Sequence, residues 1–223
     1  MGQISAAGTR IQAAKGIEDS ADQHYDDIVD ITDGRTTKPF ARMAADHSAD
    51  TLHWLLDLGW APLPEHPVKL GHRPYSVART YWGPEFGVSL LKAIGPEFLA
   101  AVERGDISLR LGTEVTGLVQ DDNGRVTGVT AKGADGKTAS FAGHKVLLAT
   151  GGFGAGHDLF KETLGYPLFT WAWPSCTGSG ARIAMSAGAE MLHTEYFIPR
   201  WAGVLTPESG ARVDRISDTT SRR

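Results

Sequence analysis

The chain holds a single cysteine, Cys176, so no disulfide can form within it, and a reducing compartment is the expectation. A lone thiol admits two readings, a catalytic nucleophile or a small buried apolar filler, and the filler is the better fit. No apolar run approaches the ~20 residues needed to cross a bilayer; the longest, around Val146–Thr150, is strand-sized. Residues 1–16 carry neither a charged leading region nor an apolar stretch, which argues against a secretory signal and for a cytoplasmic protein. A basic surplus is missing too. With 22 Lys and Arg against 26 Asp and Glu, a net charge of -4 and a pI near 6.0, nucleic-acid binding is set aside. There is no internal repeat and no low-complexity tract.

Glycine, in contrast, is abundant, with 27 residues, many clustered between apolar runs. Glycine lets backbone approach a flat or phosphorylated ligand closely. Residues 1–16, small and polar, read as a loop. A helix is expected over 19–32, capped by Asp19 or Ser20. A second helical stretch covers 39–58, with Pro39 in its first turn, Ser48 as a cap for a second segment and Gly59 as a left-handed terminator. Residues 60–84, rich in proline and aromatics, read as a long loop, and 85–104 as a helix that Gly95-Pro96 should break or kink. Residues 107–111 alternate as a strand does. Strands at 114–120, 125–132 and 138–142 are separated by Asp121-Asp122-Asn123-Gly124 and Ala134-Asp135-Gly136 turns. The near-continuous apolar run 145–150 reads as a strand buried on both faces. Short helices follow at about 156–164 and 179–188, and the tail 217–223 reads as disordered.

Three glycine-bearing motifs stand out. In VLLATGGFGAG (146–156) a strand ends in Ala149-Thr150-Gly151-Gly152, where open α/β sheets bind ligands. It is a poor dinucleotide fingerprint, because His157 occupies the third position of G-x-G-x-x-G; a tight strand-to-helix turn fits equally well. In CTGSGARIAMSAGAE (176–190), Thr177-Gly178-Ser179-Gly180 leads into a helix whose free N–H groups suit an electron-rich ligand atom, or simply form a helix capped by Ser179. In ISAAGTR (4–10), small residues have room to slide under a planar ring, or form an ordinary loop.

In order and spacing the three motifs together resemble the flavoprotein family of fumarate reductase, succinate dehydrogenase, L-aspartate oxidase and the 3-ketosteroid dehydrogenases. The resemblance covers about residues 2–200, including GIEDSADQHYDDI (16–28), HSADTLHWLLDLG (47–59) and TEVTGLVQDDNGRVTGV (113–129). It implies an α/β fold: part of a Rossmann-like, FAD-binding dinucleotide-binding domain, with a three-stranded antiparallel meander and flanking helices. It implies FAD as cofactor. The stretch Gly2, Ser5, Ala6, Ala7, Gly8 and Thr9 would lie against the isoalloxazine, and Val115 would meet the adenine through its backbone. Ala149, Thr150, Gly151 and Gly152 would sit beside the ADP half, with Thr177, Gly178, Ser179 and Gly180 at the helix that faces the flavin chain. It also implies hydride transfer between flavin N5 and an activated C=C or CH–CH substrate, a small molecule such as a carboxylate-bearing enoate or a steroid.

The chain departs from the family in several places. No strand with G-x-G-x-x-G precedes Met1, so residues 1–198 are expected to be an incomplete FAD-binding domain, with 199–223 the poorly ordered start of a truncated cap domain. Such a piece is expected to be inactive alone, and the alternative is a non-catalytic fragment that binds no FAD unaided. Ser179 stands where the family has Asp. Where fumarate reductases carry His-Pro-Thr, this chain has Pro199-Arg200-Trp201; Arg200 suits a substrate carboxylate or is a surface charge. His72-Arg73 recurs in some members and reads here as a solvent-exposed pair. No catalytic acid or base and no metal ligand is identified.

Overall fold

In the computed structural model, which describes residues 2–69, 75–165, 172–194, 203–205 and 213–215, the chain forms two compact units, Met1–Leu109 and Arg110–Arg223. The first unit begins with structure where a loop is expected: strand β1 (Ile4–Ser5) and a short helix α1 (Arg10–Ala14). A capping box starts the helix. The Thr9 hydroxyl accepts from the Gln12 amide at 3.1 Å, and the Gln12 side chain accepts from the Thr9 amide at 3.1 Å. A five-residue helix is too short to show a hydrophobic period, so only its cap is visible in the sequence.

Helix α2 (Ala21–Ile31) is capped by Ser20, which accepts from the Gln23 amide at 3.1 Å, and Asp22 in the first turn complements the helix dipole. Helix α3 (Lys38–Asp57) starts with Pro39 in its first turn and ends before Gly59, whose φ is +88°. Ser48 caps no second segment. It lies inside an unbroken helix, donates to the Ala45 carbonyl at 2.9 Å and accepts from the Ala7 amide at 3.3 Å. The long loop carries strand β2 (Thr80–Tyr81), antiparallel to β1 with Ile4 opposite Tyr81 and Ser5 opposite Thr80. Helix α4 (Gly87–Glu103) runs through Pro96 without a break. Proline removes one ladder bond there, while Leu90, Ala93 and Ile94, one turn earlier, pack on the core. That core is Ala6, Leu52, Leu55, Trp60 and Tyr81, each at most 4% exposed. Burying each leucine contributes roughly 1.5–3 kcal/mol, so the predicted cofactor segment is anchored by the best-packed part of the unit.

The second unit contains the meander β3 (Thr113–Gln120), β4 (Val126–Gly133) and β5 (Thr138–Ala142), antiparallel in that order. The turns follow from sequence. The Asp121 carboxylate accepts the amides of Asn123 and Arg125 at 3.0 Å each, and Gly124 takes φ +77°. Helix α5 (His157–Leu164) ends at Gly165, φ +83°, and helix α6 (Ser179–Ser186) follows. Strands β6 (Gly203–Leu205) and β7 (Val213–Arg215) form an antiparallel pair.

Two expected strands do not form. Residues 107–111 and 145–150 have no regular structure, and no described strand pairs with either. Leu111 is 82% exposed and Leu147 91%. A strand exists through its ladder, and a run apolar on both faces needs neighbours on both edges and layers above and below. None of the described segments supplies them.

Candidate functional site

The first unit fixes the segment Gly2–Thr9 from three sides. Strand β2 pairs with Ile4 and Ser5, and the Arg79 carbonyl accepts the Ala6 amide at 2.9 Å. Helix α3 holds the Ala7 amide through Ser48. The Tyr81 hydroxyl and Thr9 Oγ1 are hydrogen-bonded at 2.6 Å. Ala6, Ala7 and Thr9 are buried, while Gly8 is exposed at φ +71°. Gly2, also at φ +71°, abuts the start of α4, where a Cβ would come within 2.8 Å of the Phe86 carbonyl carbon. Glycine is therefore required at Gly2 by conformation and by space.

Beneath this segment lies a polar cluster that sequence reading did not single out. The Arg79 guanidinium is fully buried. It donates from Nε to Asp19 Oδ2 at 2.9 Å, from Nη2 to Asp19 Oδ1 at 2.7 Å and from Nη1 to Asp27 Oδ2 at 2.7 Å. Gln12 Nε2 donates to the same Asp19 Oδ2 at 2.8 Å and to the Ala78 carbonyl at 2.9 Å. Tyr75 stacks under Arg79 at 5.0 Å and meets the edge of the His24 ring. His24 is 3% exposed, and its Nδ1 has no partner among the described residues. Burial, reinforced by Arg79, pushes its pKa from 6.5 down to about 4, so it is neutral near pH 7. Burial likewise pushes the Tyr81 phenol upward, against the hydrogen bond to Thr9, which acts downward. The signal available in sequence was the run Asp19…Asp27 with an arginine later in the loop, which becomes a cluster only through tertiary contact.

The second unit brings two glycine motifs, 146–156 and 176–190, together. A Cβ on Gly180 would fall within 2.8 Å of Thr150 Cβ and 2.9 Å of Thr150 Cγ2. One on Gly178 would meet Leu159 Cδ2 at 2.5 Å and Phe153 Cβ at 2.7 Å. The Ala155 amide donates to the Cys176 carbonyl at 2.9 Å. Cys176, half-buried, lines this junction, with its sulfur 3.7 Å from where a Cβ on Gly151 would be. Ala149, Thr150, Gly151, Gly152, Thr177 and Ser179 are exposed, and nothing lies within 4 Å of the Cβ direction of Gly152. The cap of α6 is Gly178 in the left-handed conformation rather than Ser179, and no side chain caps the helix. Its first amides are thus left to the loop and to solvent. In β3, Val115 pairs with Ala131 and Gly117 with Thr130, so a β-bulge falls at Thr116, next to Val115. Bulges of this kind re-aim the backbone beside binding sites.

The predicted residues thus gather into two sets, Gly2–Thr9 on the first unit and Thr150–Gly152 with Thr177–Gly180 on the second, with Val115 on the meander. Arg200, His72 and Arg73 lie outside the described residues.

A family model described as an FAD binding domain matches residues 1–207. The chain belongs to this FAD-binding family. FAD is accordingly its cofactor. Among curated relatives, a probable fumarate reductase, Ifc3, of Shewanella frigidimarina is 30% identical over 206 residues, 87% of this chain and 33% of that protein. A vinyl phenol reductase of Lactiplantibacillus plantarum is 28% identical over 196 residues, 86% of this chain and 38% of that protein. The chain therefore spans about a third of the length of these relatives. Among solved structures, an open-conformation flavocytochrome c3 fumarate reductase superposes with a TM-score of 0.73 at 28% identity, covering 85% of this chain and 33% of that one. A 3-ketosteroid-Δ4-(5α)-dehydrogenase from Rhodococcus jostii RHA1 superposes at 0.68 and 24% identity, covering 87% and 46%, which supports the shared fold. Among the described residues, no helix is long and apolar enough to cross a membrane.

The donor set fits the cofactor. The exposed Gly151 and Gly152, the hydroxyls of Thr177 and Ser179, and the start of α6, which no side chain caps, match a polar chain and a diphosphate. Gly178 and Gly180 also pack closely on protein atoms, since a Cβ on either would strike Leu159, Phe153 or Thr150.

Proposed function

We propose that the chain supplies the flavin and ADP contacts of an FAD-dependent oxidoreductase acting on a small molecule with an activated C=C or CH–CH bond. Bound FAD would supply hydride transfer at its N5 position. The observation that carries this reading is the packing of the Thr150–Gly152 turn against the Thr177–Gly180 helix start, which brings the turn with the exposed Gly151 and Gly152 to the helix start with the exposed Thr177 and Ser179. In this reading Ser5, Ala6, Ala7, Gly8 and Thr9, with Gly2, form the floor under the ring system. Val115 offers its backbone beside the bulge to the adenine. Ala149–Gly152 and Thr177–Gly180 orient the ADP half and the flavin chain, and Arg200 is the candidate for a substrate carboxylate. The relatives named for fumarate and vinyl phenol support the substrate class without choosing a member of it.

A second reading has its own observation. Leu147 is 91% exposed in an apolar segment with no ladder partner among the described residues, which favours a piece that holds FAD only when further strands complete the sheet. One experiment separates the two. FAD is titrated into the 223-residue chain while flavin fluorescence and the visible absorption band are followed. Quenching with a structured band at micromolar FAD supports self-sufficient binding, to be followed by a screen of enoates and ketosteroids. FAD whose spectrum is indifferent to the chain refutes self-sufficiency and leaves the second reading.

A further inference from the structure

The buried Arg79 cluster has no place in the flavin contacts just described, and it is unusual in its cost. An apolar side chain of similar volume often serves stability as well as a buried ion pair does, so a fully buried Arg79 paired with the fully buried side chain of Asp19 and with the mostly buried Asp27 points to fixed geometry rather than stability. Arg79 meets the predicted ring-facing segment by two routes. Its own carbonyl accepts the Ala6 amide at 2.9 Å. Its side chain is locked by both oxygens of Asp19 and by Asp27, and Asp19 in turn accepts from Gln12, whose side chain closes the capping box on Thr9. Gln12 also donates to the Ala78 carbonyl, one residue before Arg79. The segment is therefore clamped at Ala6 and at Thr9 by one connected unit, with the small residues Ala7 and Gly8 spanning the gap.

We propose that Arg79, acting with Asp19 and Gln12, is a positioning residue that sets the height and tilt of Ala6–Thr9 against the flavin. This rests on the reading that the segment faces the flavin. The geometry explains why lysine is no substitute: a single ammonium cannot present the planar fork that engages both Asp19 oxygens while reaching Asp27.

Two variants of the full chain test it, Arg79→Lys and Gln12→Met, each read by amide hydrogen exchange at Ala6 and Ala7 and by FAD titration. Gln12→Met leaves Arg79 and both carboxylates in place. The expected result is at least tenfold faster exchange at Ala6 and Ala7 with protection in α3 retained. Where the wild-type chain binds FAD, about tenfold weaker binding and an altered absorption band of the bound flavin are also expected. Unchanged exchange at Ala6 and Ala7 in both variants overturns the proposal, as does unchanged affinity and spectrum in a chain that binds FAD. Should Arg79→Lys lose protection throughout α3, the fold has been lost and Gln12→Met decides by the same criteria. If the wild-type chain takes up no FAD, faster exchange in the variants supports the positioning role, and the failure falls on the proposed flavin contact.

Discussion

Gly180→Ala is the sharpest probe of how the two glycine motifs depend on each other. A Cβ at Gly180 would lie 2.8 Å from Thr150 Cβ and 2.9 Å from Thr150 Cγ2, with Thr150 Oγ1 closer still. Rotating χ1 of Thr150 moves Oγ1 and Cγ2 but leaves Cβ in place, so side-chain adjustment cannot relieve the contact. Helix α6 and the Thr150–Gly152 turn must separate. Overpacking of this kind costs typically 1–3 kcal/mol, and replacing glycine by alanine within a helix returns roughly 0.5–1 kcal/mol. The net expectation is a loss of ~1–2 kcal/mol. For a chain of this size that corresponds to a Tm lower by about 2–8 °C. Thr150→Ala removes Oγ1 and Cγ2 but keeps Cβ, so the double variant should recover part of the loss, with a coupling energy of roughly 0.5–3 kcal/mol. The assay is thermal unfolding followed by circular dichroism for wild type, both single variants and the double, with FAD titrations alongside. A Gly180→Ala chain as stable as wild type, or a double variant showing no coupling, would refute the claim that Gly180 is glycine because Thr150 fills its space.

Two further outcomes follow from the first unit. His24 takes up its proton near 6.5 when unfolded and near 4 when folded, so the unfolded state binds more protons in between. Stability is complete above the upper value and falls as pH drops toward the lower one; with solvent screening near the partly exposed Asp27, the loss is ~1–2 kcal/mol, measured by urea unfolding between those limits. His24→Phe should flatten that slope. Tyr81→Phe removes the 2.6 Å bond to Thr9 and should cost about 1 kcal/mol in urea unfolding. It should also loosen the Thr9 end of the segment, seen as faster amide exchange in α1.

The residues beside the turns and caps were legible because their physics is local. Ser20 caps α2, Gly59 ends α3, and Asp121 with Gly124 builds the first hairpin of the meander through contacts within a few residues. The motif residues were legible as a set, through their order along the chain. What sequence could not supply was anything decided by a partner distant in the chain. Residues 145–150 have the composition of a buried strand, yet no described strand pairs with them, because a ladder belongs to two segments and not to one. Ser48 has the chemistry of a cap, and tertiary packing turned it into a mid-helix hydroxyl that holds Ala7. Pro96 is a helix breaker by local geometry, and the core contacts of Leu90, Ala93 and Ile94 accompany a helix that continues past it. Arg79 reads as one more loop cation until Asp19 and Asp27, 60 and 52 residues away, close around it. The sequence by itself determined which backbone turns are possible, where helices start, and which family the glycine spacing resembles. Only the tertiary structure decided that Thr150 fills the space at Gly180 and that a buried arginine clamps Ala6 and Thr9, because burial and long-range hydrogen bonds arise only once the chain has folded.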